Sequence, residues 1–94
     1  MSNYEIKDYT YEKAKMYGFI VRPSLKKNKK VDVYDKNNIL LVSIGHSDYS
    51  DYPTYIKTHG KDYAENRRRL YRCRHKCDIL VKYSAGWFAY NLLW

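Results

Sequence analysis

The sequence predicts an α+β domain over residues 1–94: a short N-terminal helix, a three-stranded antiparallel sheet, then three C-terminal helices, one of them long and basic. Three observations predict it. An alternating stretch at residues 30–35 and an apolar run at 39–44 flank the turn Lys36-Asn37-Asn38, the pattern of a hairpin. Residues 61–77, KDYAENRRRLYRCRHKC, hold neither Gly nor Pro and consist largely of tolerable or good helix formers. Residues 84–94, SAGWFAYNLLW, begin with a capping serine and are too apolar to face water. Strands followed by a run of helices are the order of an α+β fold.

Taken in order, residues 1–9 read as a polar arm. Thr10 is a candidate cap for a helix over 11–17, which Gly18 ends. Phe19 to Arg22 form a short strand stopped by Pro23, and residues 24–29, SLKKNK, a basic loop. In the next strand Val31 and Val33 point one way and Lys30, Asp32 and Tyr34 the other, so one face is buried. The run 39–44 should be the best-buried strand, with Gly45 ending it. Asp51 is placed to cap a helix over 52–59 with Pro53 in its first turn, and Gly60 to turn the corner into the basic helix. Asp78 opens a turn, 79–83 is a short strand or connector, and Ser84 caps the last helix, packed against the body.

Within 61–77, Tyr63, Asn66, Leu70, Cys73 and Cys77 recur at helical spacing and define a packing seam. Arg68, Arg72 and Lys76 then share the opposite face, with Arg69 beside them. Arg67 and Arg74 lie at the seam's edge, placed to pack or to pair with Asp48 or Asp51.

A net charge of +8 on 94 residues is high, and it is clustered. Arg22 to Lys30 holds five bases and no acid, and Arg67 to Lys82 seven bases against Asp78 alone. Clustered arginine favours an anionic partner over a surface kept basic for solubility. Arginine's planar fork suits phosphate. The competing reading is a solvated helix face with a Glu65–Arg69 salt bridge. Tyrosine, at 12 residues, serves a small core with wet edges or stacks on exposed bases; an AT-rich genome gives the same bias without functional meaning. Two cysteines four apart form no secreted disulfide framework, and no stretch approaches the ~20 apolar residues of a membrane span. The N-terminus has no apolar run of a signal peptide. These features predict a soluble protein made in a reducing compartment.

Catalytic patterns are weak. There is no glycine-rich phosphate loop and no nucleophile elbow; His46 with Asp48 and Asp51 is a weak pattern for a hydrolytic or metal-dependent nuclease site, and turn-capping explains both Asp. Cys73 and Cys77 lack the usual Cys-x-x-Cys zinc knuckle, so they are expected as reduced core residues with no metal.

Together DYPTYIK (51–57), YAENRRRLYRCRH (63–75) and SAGWFAYNLLW (84–94), with GFIVRPSLKKNKKVDVYD (18–35) upstream, resemble a family of small basic proteins of uncharacterised function. These are encoded by large nucleocytoplasmic DNA viruses of protists and algae and by some phages. The resemblance implies one compact domain and a viral setting, in the virion or in the host cytoplasm where viral factories form. It implies no catalytic residue.

The expected function is therefore non-enzymatic nucleic-acid binding of little sequence specificity, DNA more than RNA, with no cofactor. Phosphate contacts are expected from Arg68, Arg69, Arg72 and Lys76, helped by Lys26, Lys27, Lys29 and Lys30. The alternative is a minor structural virion protein that bridges capsid or core proteins through its basic and tyrosine-rich surface.

Overall fold

The computed structural model describes residues 4–94. Its elements are α1 (Asp8–Tyr17), β1 (Ile20–Pro23), β2 (Lys29–Tyr34), β3 (Leu40–His46), α2 (Tyr52–His59), α3 (Lys61–Arg74), a 3-10 turn (Lys76–Leu80) and α4 (Ala85–Leu92). The α+β class and element order are those expected from the sequence.

Local chemistry explains most boundaries. Asp51 accepts a hydrogen bond from the Thr54 N–H and caps α2, which has Pro in its first turn. Ser84 accepts from the Trp87 N–H and caps α4. Gly60 takes φ +88° between α2 and α3, where a side chain would be strained. Helix α1 begins three residues before the expected start. Thr10 is not its cap but lies inside it, fully buried, with Oγ1 donating to the Leu92 carbonyl at 2.8 Å. The expected arm is also corrected where it is described. Ile6 belongs to the core, and the Tyr4 hydroxyl donates to Asp51 Oδ2 at 2.6 Å. Residues 1–3 of that arm lie outside the described residues.

The sheet has the order β1-β2-β3, antiparallel throughout. Strand β2, not β3, is the best-buried strand, and both of its faces are covered. Val31 and Val33 enter the hydrophobic core. On the other face Asp32 accepts from the Ser24 and Ser43 hydroxyls, each at 2.6 Å, and from the Leu25 N–H at 3.2 Å. Burial acts to raise the Asp32 pKa, but these hydrogen bonds and the Lys26 charge win and hold it below the usual carboxylate value. Strand β3 is less buried than its composition suggests because its register slips. Val33 pairs with Val42 but Tyr34 with Leu40. Leu41 is left over and stays 45% exposed, as a bulged residue does. Gly45 does not end β3. It sits within it at φ +76°, and a Cβ there would come within 2.9 Å of Leu93 Cδ1.

The C-terminal segment is the hub of the core. Phe88, Leu92 and Leu93 are almost wholly buried, with Trp87 and Trp94 beside them. The end of α4 leaves carbonyls without helical partners. That of Leu92 and the main-chain oxygens of Leu93 and Trp94 just past the helix are satisfied from three other helices: Leu92 by Thr10 of α1, Leu93 by the Tyr52 N–H of α2 (3.0 Å), and Trp94 by Arg72 of α3 (3.0 Å).

Candidate nucleic-acid interface

Helix α3 lies in a different rotational phase from the one its sequence suggests. Ala64 is its fully buried residue, with Arg68, Tyr71 and Arg72 half-buried on the same side. Tyr63, Asn66 and Cys73 of the expected seam are exposed. The helix gives way to the 3-10 turn before Cys77, so Cys77 is off it and exposed too. The cysteines are therefore not core residues. Among the described residues, no three His, Cys, Asp or Glu side chains gather as a metal set.

This phase turns two of the expected phosphate ligands inward. The Arg68 guanidinium lies 4.0 Å from the Tyr52 ring centroid and donates to both Glu65 oxygens at 3.0 and 2.9 Å. The Tyr52 hydroxyl completes the cluster by donating to Glu65 at 2.8 Å. The Tyr52 hydrogen bond, with the Arg68 charge, keeps the Glu65 carboxyl below its ordinary pKa. Arg72 lies 5.1 Å from the Tyr90 ring as well as donating to Trp94. Arginine stems pack readily along apolar surface while the head stacks and bonds, so both residues hold the helix to the body. The Glu65–Arg69 bridge does not form: Glu65 takes Arg68, and Arg69, exposed, donates to Asn66 at 2.9 Å.

The other expected ligands divide similarly. Lys26, Lys27 and Lys29 are exposed on the loop before β2 and at its start, and Lys76 is exposed on the 3-10 turn, off the face once shared with Arg68 and Arg72. Lys30 is not a surface cation. Its Nζ lies 3.1 Å from Asp51 Oδ2 with both side chains almost fully buried. Asp51 thus serves Lys30, Tyr4 and the Thr54 N–H together. Burial, the Asp51 charge and this hydrogen bond push the Tyr4 pKa well above its usual value.

A cleft of about 510 Å³ opens beside this pair. One wall is the end of β3 and the loop after it, with His46 and Tyr49. The other is the second half of α3, with Arg67 and Arg74, and Leu93 and Trp94 also line it. Neither Arg67 nor Arg74 meets the acids the sequence suggested. Asp51 is taken by Lys30, and Asp48 lies beside His46 at 3.8 Å. Arg67 stacks over Tyr55 at 5.7 Å, and its Nε is buried without a hydrogen-bond partner among the described residues. Such a donor costs about 1–3 kcal/mol while unsatisfied. Arg74 is exposed, with no carboxylate within ion-pair distance among the described residues.

Aromatic rings supply the rest of the lining. Tyr71 is stacked between His75 and Trp94, each at 4.2 Å, and Trp94 leads on to Tyr55 at 6.1 Å. Burial, with the nearby Asp78 charge, pushes the Tyr71 pKa up to about 12. The cleft was not legible in the sequence, because its walls come from residues 30, 45–55, 67–75 and 89–94. One signal was present: Arg67 and Arg74 stand one heptad apart, set off from the other arginines.

Arg67 and Arg74 line the cleft, and the exposed lysines of the β1–β2 loop lie outside it, behind the wall that holds His46. Lys29 pairs with His46 across the sheet, and the Ser47 N–H donates to the Asn28 carbonyl at 3.1 Å, which fixes the lysine loop beside one wall. The arginines of α3 form the other. No helix among the described residues is long and apolar enough to cross a membrane. No family model matches the chain, and neither a curated protein nor a solved structure does.

Proposed function

We propose that the protein is a non-enzymatic nucleic-acid-binding protein of little sequence preference, working in a viral setting. The observation that carries this reading is a cleft with Arg67 and Arg74 in one wall, unpaired with any acid among the described residues, and with Lys29 paired across the sheet to His46 of the other wall. Lys26, Lys27 and Lys29 approach the phosphates from the loop side, and Arg67, Arg74 and Lys76, with Arg69 further out, from the helix side. Arg68, Arg72 and Lys30 hold the scaffold and make no contact. Few groups at the surface suit base-edge reading, so affinity comes mainly from charge and falls steeply with salt. The preference for DNA, and a place in the virion or the viral factory, rest on the resemblance to proteins of DNA viruses.

One observation favours the structural-virion alternative. Ile79, Leu80 and Val81 form an exposed aliphatic run, Leu80 at 77%, suited to a protein contact. Binding to duplex DNA, single-stranded DNA and RNA across a salt series tests the first reading. The expected result is binding to DNA whose logarithm falls linearly with the logarithm of salt. No binding at low salt would overturn it and leave the protein-bridging role.

A further inference from the structure

We infer that the cleft between the β3–α2 loop and α3 takes one nucleoside phosphate, its phosphate held by Arg67 and Arg74 and its base set among the aromatic side chains. The inference deepens the nucleic-acid reading, since the same cleft would receive a nucleotide unit of a strand, and the same chemistry describes a free nucleotide.

Four features define the ligand. The volume, about 510 Å³, lies within the range of small-molecule sites. The charge is positive and uncommitted: the one carboxylate side chain in the lining, Asp51, is neutralised by Lys30, while Arg67 and Arg74 have no acidic side-chain partner among the described residues. They stand two helical turns apart on α3, so one cleft receives two planar donors suited to phosphate. A third indication is that, of the two arginines whose Nε is buried without a partner among the described residues, Arg67 and Arg72, Arg67 is the one that lines the cleft, and a buried donor needs an acceptor. Finally, the lining is rich in rings, including Tyr55, Tyr71 and Trp94, and Tyr49 stands largely exposed at the mouth. A bare anion has no use for such surface, whereas a base stacks or packs on it.

The test titrates the full chain with a nucleoside 5′-monophosphate, the matching nucleoside, inorganic phosphate, and short single strands with and without a 5′-phosphate. Binding is read by calorimetry and by the NMR signals of the Arg Nε–H groups and the Trp94 indole. The monophosphate is expected to bind about tenfold or more tighter than nucleoside or phosphate, as loss of a charge-assisted contact implies, and to shift the Arg67 Nε–H. Arg74→Gln, at the exposed rim, should weaken it by a similar factor with an unchanged melt, and Arg67→Gln more; Lys36→Gln, remote from the cleft, should not. Tight binding of the phosphorylated strand alone supports the inference and makes the strand end the ligand. Binding of the monophosphate while long DNA and RNA fail to bind supports it and overturns the nucleic-acid reading. Equal binding of inorganic phosphate and monophosphate overturns it in favour of a simple anion site. Binding of long DNA with no response to any small probe or phosphorylated end overturns it and leaves the nucleic-acid reading intact.

Discussion

Helices α3 and α4 were equally visible in the sequence as helices, and only one showed which way it faces. In α4 the apolar residues are so dense that burial is the only outcome, and the structure makes it the hub of the core. In α3 cations occupy every side but the stripe of Tyr63, Asn66, Leu70 and Cys73. Taking the arginine-rich side as the solvent side and the side with Asn66 and Cys73 as the seam misplaces the helix: Arg68 and Arg72 are half-buried, Asn66 and Cys73 exposed, and Leu70 is half-buried. The difference lies in what each side chain reports. Leucine and phenylalanine bury or they cost stability. Arginine packs its stem, stacks its head and keeps a charge, so it serves either face. Arg68 over Tyr52 and Arg72 over Tyr90 are structural for that reason. The tyrosine-rich composition and the arginine-rich helix, two separate anomalies in sequence, are thus partly one packing system.

The largest expected effect removes the hub. Deleting residues 90–94 takes away Leu92, Leu93 and Trp94 together with the carbonyls that tie down α1, α2 and α3. Each large buried side chain contributes about 1.5–3 kcal/mol, against a total of about 5–15 for such a domain. Loss of the cooperative melt is expected; a melt within a few degrees of the intact chain would demote α4. Next, Asp51→Ala strands the buried Lys30 charge and removes a helix cap. Chemical denaturation should register about 3–5 kcal/mol of destabilisation, far more than for any exposed cation.

Within α3 the comparison sharpens. Arg68→Gln and Arg72→Gln should each cost about 1–2 kcal/mol through lost stacking and hydrogen bonds. Arg69→Gln should stay within about 0.5 kcal/mol. Equal costs at all three positions would refute the orientation of the helix. The smallest effect concerns pH. The folded Asp32 pKa is depressed, so its stabilisation is present above the unfolded value of about 3.9 and is lost as pH falls through the folded value. The melting temperatures of the native chain and of Asp32→Asn should therefore differ at neutral pH and converge in acid. A constant gap would contradict this.

What was legible in the sequence was local. Asp51, Gly60 and Ser84 announce helix ends through chemistry that acts within a few residues, and they do so in the structure. What was not legible depends on partners far along the chain. Lys30 looks like a surface cation until Asp51, 21 residues away, is brought to it. The run at 39–41 looks buried until a register slip exposes Leu41. The cleft has no single segment of its own, so no motif could mark it.

The division of labour among the arginines of α3 is tested most directly by pairing a salt-dependent DNA-binding series with a thermal melt on two double variants. Arg67→Gln/Arg74→Gln should lower affinity and flatten the salt slope by about 0.7 unit per lost phosphate contact on single strands, with the smaller change in melting temperature. Arg68→Gln/Arg72→Gln should lower the melting temperature while the folded protein keeps the native slope. The reverse pattern, a flattened slope from the second pair and none from the first, would contradict the assignment and return the phosphate contacts to the face that packs against the body here.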